Sequence, residues 1–199
     1  MASDLHRIEE RDVSLLMPSK VYGLGMQERE QKTTDEPTLT KTSQERVPLD
    51  DYFMDITRIV AKRSTCLRRP TGAVLVRDKI IISTGYNGAP RGLRHCTEIG
   101  CLRQKRGIPS GKYHELCRGA HAEINAIVQV SLNGTSTEGS TLYCTSFPCA
   151  YCMKALINSK VKKIIFIEDY PDELSHELCK ESGIETVQWT HGKHSKKST

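Results

Sequence analysis

From Leu49 onward, apolar side chains recur at regular intervals, and these intervals predict the order of the secondary-structure elements. A helix is predicted behind Asp50, a residue type that caps helices, because apolar positions recur at helical spacing at Tyr52, Phe53, Ile56, Ile59 and Val60. Two strand-like runs follow at 73–76 and 80–84. The short polar turn between them favours an antiparallel pair.

Residues 85–119 form a long, basic stretch with glycines and cysteines, which we interpret as a functional or internally braced loop. Helices and strands then alternate along the chain. Helices are predicted at 121–130, 149–159 and 172–182, and strands at 141–145, 163–167 and near 185–189. Because each helical crossover makes its flanking strands parallel, we expect an α/β fold: a three-layer α/β/α sandwich with a mixed five-stranded sheet.

Polar segments flank this pattern at both ends. Residues 1–48 show no clear hydrophobic period, so we expect a flexible N-terminal extension with a short helix around Asp4–Met17. Residues 191–199 are basic and polar and are expected to form a disordered tail. One folded domain is therefore predicted over residues 49–190.

Composition limits the kinds of protein that fit this pattern. The chain has 199 residues, of which 37% are hydrophobic and 27% charged, and this suits a globular protein with one sizeable core. Its formal net charge of +5 favours an anionic partner without indicating a nucleic acid. No apolar run approaches the roughly 18 residues of a membrane span, and the first residues lack an apolar signal-peptide core. We therefore expect a cytoplasmic protein with no membrane partner.

The strongest chemical signal is a His-Ala-Glu motif, with His121 and Glu123, followed downstream by the CxxC pair of Cys149 and Cys152 behind Pro148. One histidine and two thiolates leave the fourth position of a tetrahedral Zn²⁺ open for water, whereas structural zinc sites are closed. A closed zinc knuckle is the alternative, but it would need neither the glutamate nor the proline. The pattern is the signature of the zinc deaminases, in which the glutamate moves protons.

The chain's eight cysteines are better interpreted as reduced, metal-binding thiolates than as disulfides, because the chain is large and lacks a signal peptide. Two of them, Cys144 and Cys179, are expected to be free and buried. Four others, with His95 and His114 nearby, could form a closed Cys₄ or Cys₃His zinc that braces the long loop. These four are Cys66, Cys96, Cys101 and Cys117. Free or buried cysteines are the alternative there too.

Residues 49 to about 189 resemble the deoxycytidylate (dCMP) deaminase family beyond the zinc motif. The matching blocks are Asp51-Tyr52-Phe53-Met54, Lys62-Arg63-Ser64, Thr71-Gly72-Ala73-Val74, Gly85-Tyr86-Asn87-Gly88, His121-Ala122-Glu123-Ile124-Asn125-Ala126 and Phe147-Pro148-Cys149. The resemblance implies a cytidine-deaminase-like fold and hydrolysis of dCMP to dUMP and ammonia, which supplies dUMP for dTMP synthesis. It also implies a homo-oligomer, often a hexamer, and control by dCTP and dTTP as effectors.

Individual site residues follow from the same resemblance. Glu123 is expected to be the catalytic proton shuttle, and the ligands of the catalytic zinc are expected to be His121, Cys149 and Cys152. Asn87 matches the family's asparagine at the nucleotide, and Arg68 matches an arginine that meets the substrate phosphate in some members. Some members also resemble this chain in having a structural zinc at the second cysteine cluster.

Independently, several arginines crowd the loops beside the expected pocket: Arg63, Arg68, Arg69, Arg91 and Arg94. Guanidinium groups bind phosphate bidentately, so some of these could select a nucleotide over a nucleoside. The alternative is that most are solvated surface charges.

Two other functions stay open at this point. A tRNA or other nucleic-acid deaminase would use the same zinc site, but it needs a basic and aromatic groove, and aromatic residues make up only 6% of the chain. A non-catalytic, zinc-braced competence-type protein would have no need of Glu123. The favoured hypothesis is therefore a zinc-dependent dCMP deaminase that acts on a small nucleotide and has no nucleic-acid partner.

Overall fold

The computed structural model describes residues 46–191. The helix predicted around Asp4–Met17 and the tail beyond residue 191 lie outside the described residues. Within residues 46–191, none of the helices has the combined length and apolarity that crossing a membrane requires.

Five strands form one sheet in the order β2-β1-β3-β4-β5. Their bounds are β1 Gly72–Arg77, β2 Ile80–Tyr86, β3 Thr141–Ser146, β4 Lys163–Glu168 and β5 Glu185–Gln188. Strand β1 pairs antiparallel with β2 and with β3, and the pairs β3/β4 and β4/β5 are parallel. The predicted mixed sheet with an antiparallel edge is confirmed.

Four longer helices flank the sheet, and their predicted positions are confirmed to within a few residues. They are α1 Leu49–Ala61, α4 Ala122–Leu132, α5 Ala150–Asn158 and α6 Glu173–Ser182, with α2 and α3 in the loop described below. The start of α6 is fixed by Asp172, whose carboxylate accepts a hydrogen bond from the backbone N–H of Ser175, and its end by Gly183 at φ 72°.

The helices lie on the two faces of the sheet because side chains alternate along each strand. On one face, strand residues such as Leu75 pack against α4, α5 and α6 through side chains that include Val130 and Leu156. On the other face, Val74 and its neighbours pack against Phe53 of α1. The result is the predicted three-layer α/β/α sandwich.

The loop predicted at 85–119 contains short elements that the sequence pattern did not indicate, and β2 extends into its first two residues. Two four-residue helices, α2 Cys96–Ile99 and α3 Leu102–Lys105, and a 3₁₀ turn at His114–Leu116 lie within it. Helices this short show no hydrophobic period, so the sequence pattern cannot indicate them. Gly88 and Ala120 form an isolated antiparallel bridge that joins the two ends of the segment.

Strand β2 and helix α4 approach each other unusually closely at Gly85. A Cβ atom at this position would lie 2.1 Å from the carbonyl oxygen of Ala122 and 2.5 Å from the backbone nitrogen of Ala126. Only glycine allows this distance, and the first turn of α4 is therefore held directly against the sheet.

Candidate metal centre and active site

Three predicted ligands meet where two helices begin beside the sheet. His121 precedes the first residue of α4, Cys149 precedes the first residue of α5, and Cys152 lies in the first turn of α5. The Nδ1 atom of His121 is 3.4 Å from the Sγ of Cys149 and 3.3 Å from the Sγ of Cys152. Among residues 46–191, this is the only set of three potential metal ligands whose donor atoms all lie within 4.8 Å of one another.

The donor set fits Zn²⁺. One imidazole and two thiolates are ligands that zinc prefers, and three protein ligands leave one position for water or substrate, as in catalytic sites. Both cysteines lie at a helix start, where free N–H groups and the helix dipole favour thiolate. Hydrogen bonding from Cys152 and from His121 lowers the pKa of Cys149 to about 4, although burial opposes this. A thiolate is therefore present at neutral pH, in the form that binds metal.

Glu123 lies on the first turn of α4, two residues from the histidine ligand, and is only 8% exposed. Burial raises the pKa of its carboxyl group, while the nearby His121 lowers it. A carboxyl group with a raised pKa accepts and returns protons more readily at neutral pH than an ordinary glutamate does. The arrangement therefore suits a proton shuttle beside a metal-activated water.

A cavity of about 880 Å³, including its open mouth, faces this centre. His121, Glu123 and Cys149 line it, together with the predicted substrate residues Asn87 and Arg68. Its size is in the range of small-molecule sites. The structure thus brings the proposed catalytic and substrate residues around one space.

Asn87 holds the rim of this cavity together. Its Oδ1 accepts hydrogen bonds from the Ser64 hydroxyl and the Thr71 backbone N–H, and its Nδ2 donates to the carbonyl oxygen of Arg69. The amide thus joins the 64–71 segment to the end of β2. A role at the nucleotide stays a prediction.

The predicted arginines separate into two groups. Arg68 and Arg69 line the cavity, whereas Arg63, Arg91 and Arg94 are exposed side chains outside its lining. Arg68 donates from Nη1 to the carbonyl oxygen of Ile108 at 2.9 Å, and Arg69 pairs with Glu168 at 2.6 Å.

Sequence reasoning assigned no site role to Arg103 or Tyr170, which line the cavity, and it placed His114 only near the second cysteine cluster. Tyr170 follows the carboxyl end of β4, a place where ligand sites of α/β sheets form, so its position offered a usable signal. Its hydroxyl lies 3.1 Å from Nε2 of His114, whose ring in turn stands edge-on to His121 at 5.2 Å. Arg103 carried no such signal, because its neighbours in the sequence are mostly polar and basic.

The four cysteines of the second cluster border one cavity but do not form a compact set of metal ligands. Cys66, Cys96, Cys101 and Cys117 all line the cavity. Burial raises the pKa of Cys96, and the other three cysteines raise it further. Within residues 46–191, however, no three of these sulfurs lie within 4.8 Å of one another. Cys144 and Cys179 are free and buried, as predicted.

Comparison with known proteins agrees with this geometry. Residues 48–168 match the family described as the cytidine and deoxycytidylate deaminase zinc-binding region. The chain belongs to this family. It is 38% identical over 145 residues to ComE operon protein 2 of Bacillus subtilis, covering 72% of each protein.

Two further relatives of this deaminase bear the name of a specific enzyme. The deoxycytidylate deaminase of Schizosaccharomyces pombe is 35% identical over 70% of this chain, which spans only 44% of that protein. The crystal structure of the dCMP deaminase from cyanophage S-TIM5, in complex with dCMP and dUMP, is 26% identical with a TM-score of 0.60. That match covers 71% of this chain and 97% of the phage chain.

Proposed function

We propose that this deaminase hydrolyses dCMP to dUMP and ammonia. The observation that carries the proposal is the buried Glu123 beside an open His121, Cys149 and Cys152 set, at the end of a cavity that also holds arginines. The named relatives and the phage structure support dCMP as the substrate.

Zinc held by His121, Cys149 and Cys152 would supply Lewis acidity that activates a water molecule for attack. Glu123 takes a proton from the attacking water as its oxygen bonds to the amine-bearing ring carbon. Glu123 delivers this first proton to the ring nitrogen. It then takes the second proton from the new hydroxyl group and passes it to the leaving amine, so that the carbonyl forms, the carbon–nitrogen bond breaks and ammonia departs. Glu123 is only two residues from His121, so its carboxylate lies beside the metal site and the reacting atoms.

Several finer features belong to the same proposal. Asn87 and Arg68 contact the nucleotide, with Arg68 near the phosphate. A second, structural zinc bound by the other four cysteines braces the 85–119 segment. The enzyme assembles as a homo-oligomer, such as a hexamer, and responds to dCTP and dTTP. It works in the cytoplasm, a reducing compartment in which all eight cysteines stay free.

A nucleic-acid deaminase would use the same metal centre on a much larger substrate. We favour a mononucleotide because Arg68, Arg69 and Arg103 all line one cavity of small-molecule size. A nucleic-acid strand would instead need basic residues along an extended groove. The resemblance to ComE operon protein 2 keeps a non-catalytic role as the other alternative.

One assay distinguishes these functions. Purified zinc-loaded protein is incubated with dCMP, deoxycytidine, dCTP and tRNA, and ammonia release is measured. We expect dCMP to be the preferred substrate. Preferred turnover of tRNA would contradict the proposal in favour of nucleic-acid editing, and no ammonia from any substrate would favour the non-catalytic role.

A further inference from the structure

Arg103 is a buried cation with an incomplete set of partners. Its side chain is only 8% exposed although it lies on the four-residue helix α3. One terminal nitrogen, Nη2, donates to the carbonyl oxygens of Pro109 and Lys112. Its Nε is buried and has no hydrogen-bond partner among residues 46–191.

No carboxylate in residues 46–191 forms an ion pair with Arg103. Removing a charge from water is costly unless an opposite charge or good hydrogen bonds replace the solvent. Two backbone carbonyls hold the guanidinium in place but leave its charge uncompensated. An anionic group from outside the chain would supply the missing partner.

The anion belongs on the catalytic side of the cavity. Arg103 lines the same cavity as His121, Glu123 and Tyr170. Its guanidinium therefore borders the space where the substrate would lie.

We propose that Arg103 is the principal residue that binds the 5′-phosphate of the nucleotide and so selects a phosphate monoester over a nucleoside. The inference rests on the proposed function and names the specificity residue of that site. The guanidinium is held by the 109–112 segment through Nη2, so the N–H groups of Nη1 are already oriented when the ligand arrives. A planar fork with fixed donors matches phosphate geometry.

Arg103 suits this role better than the two arginines nearest it in the cavity. Arg69 is already paired with Glu168. Arg68 is less buried than Arg103 and donates to Ile108, in the same segment that holds Arg103. We therefore assign Arg68 mainly to supporting the segment that positions Arg103, with a weaker phosphate contact of its own.

The test compares zinc-loaded wild-type protein with Arg103→Gln, Arg68→Ala and a control, Arg106→Gln. Arg106 is an exposed arginine on the same segment, so its loss changes the net charge equally without altering the cavity. The kcat/KM values for dCMP and deoxycytidine are measured for each protein. Binding of inorganic phosphate is measured separately by calorimetry.

For Arg103→Gln we expect kcat/KM to fall about ten- to a hundred-fold on dCMP and to change little on deoxycytidine. The variant loses the charge-assisted hydrogen bonds to the phosphate, and deoxycytidine has no phosphate that could form them. Arg68→Ala should show a smaller change in the ratio of the two values, and Arg106→Gln none. Equal losses on both substrates would overturn the assignment and make Arg103 purely structural. A larger ratio change for Arg68→Ala would also overturn it.

If Arg103→Gln fails to fold, Arg103→Lys decides the question. Lysine keeps the buried charge but lacks the planar guanidinium. The ratio of kcat/KM for dCMP to kcat/KM for deoxycytidine should therefore drop at least a few-fold, and an unchanged ratio would overturn the proposal. The phosphate titration separates this inference from the proposed function. Loss of phosphate binding in the Arg103 variant, but not in the Arg106 variant, supports the anion site even if dCMP proves not to be the substrate. Unchanged phosphate binding overturns it.

Discussion

Replacing Gly85 with alanine tests how strictly the sheet positions the catalytic helix. The new Cβ would lie 2.1 Å from the Ala122 carbonyl oxygen, more than an ångström inside the ordinary contact distance of 3.4 Å. The contact is with backbone on both sides, so no side chain can rotate away. Helix α4 must therefore shift, and its first turn carries Glu123 and follows directly on His121.

The expected size of the effect follows from this overlap. Overpacking of this kind costs about 1–3 kcal/mol of folding free energy, and displacing catalytic groups by about 1 Å can cost roughly a hundred-fold in rate. We therefore expect the urea midpoint to fall and kcat for ammonia release to drop about a hundred-fold at saturating zinc. The two measurements are made on the same preparation.

Gly72→Ala is the matched control. A Cβ there would lie 2.5 Å from the carbonyl oxygen of Thr57 and 2.7 Å from the backbone nitrogen of Ala61, so it crowds α1 in the same manner. Helix α1 carries none of the metal ligands. We expect similar destabilisation with far smaller loss of kcat. The reasoning is refuted if the two variants lose activity equally, or if Gly85→Ala retains wild-type kcat.

Three further predictions concern the shuttle, the metals and the opposite layer. Glu123→Gln should retain zinc and lose about a hundred- to ten-thousand-fold in kcat, because glutamine cannot relay a proton; substantial turnover would remove Glu123 from that role. Metal analysis should find about two zinc ions per chain, one lost in Cys149→Ser and the other in Cys96→Ser; a single ion unaffected by the second change would exclude the structural site. Asp51→Ala should lower the free energy of unfolding by about 1–3 kcal/mol in urea titrations, with kcat/KM unchanged, because Trp189 Nε1 donates to Asp51 at 2.8 Å and would lose its buried acceptor; unchanged stability would contradict this.

Hydrophobic periodicity was sufficient to predict the elements that form the sheet and its two helical layers. It works there because each of these segments buries one face, as Val74 and Leu75 do on opposite sides of β1. It failed in residues 85–119, where the short helices depend on side-chain hydrogen bonds to backbone carbonyls within the loop, which leave no hydrophobic period. Lys105, for example, donates to the carbonyl oxygen of Ile99, and Arg103 to carbonyls further along.

The metal ligands and Glu123 could be predicted because their chemistry imposes residue types and spacing. The anion-binding part of the cavity could not be predicted in the same way, since burial rather than residue type distinguishes Arg103 from the exposed Arg106. Asn87 shows a related limit. Its residue type suggested a ligand contact, whereas the fold also uses its amide to join the 64–71 segment to the end of β2.

The bridge between Gly88 and Ala120 has a consequence for how freely this enzyme can be altered. Reciprocal backbone hydrogen bonds of 3.2 and 2.8 Å between Gly88 and Ala120 close residues 89–119 into one loop, and Ala120 lies one residue before His121. The entropic cost of closing a loop grows slowly with its length, by only about 0.6 kcal/mol per doubling. The bridge therefore fixes the ends of the loop independently of its length, while Arg68 and Tyr170 contact its interior at Ile108 and His114. Shorter or longer segments could be fitted between the bridged residues, changing the walls of the cavity while the metal ligands stay in register with the sheet.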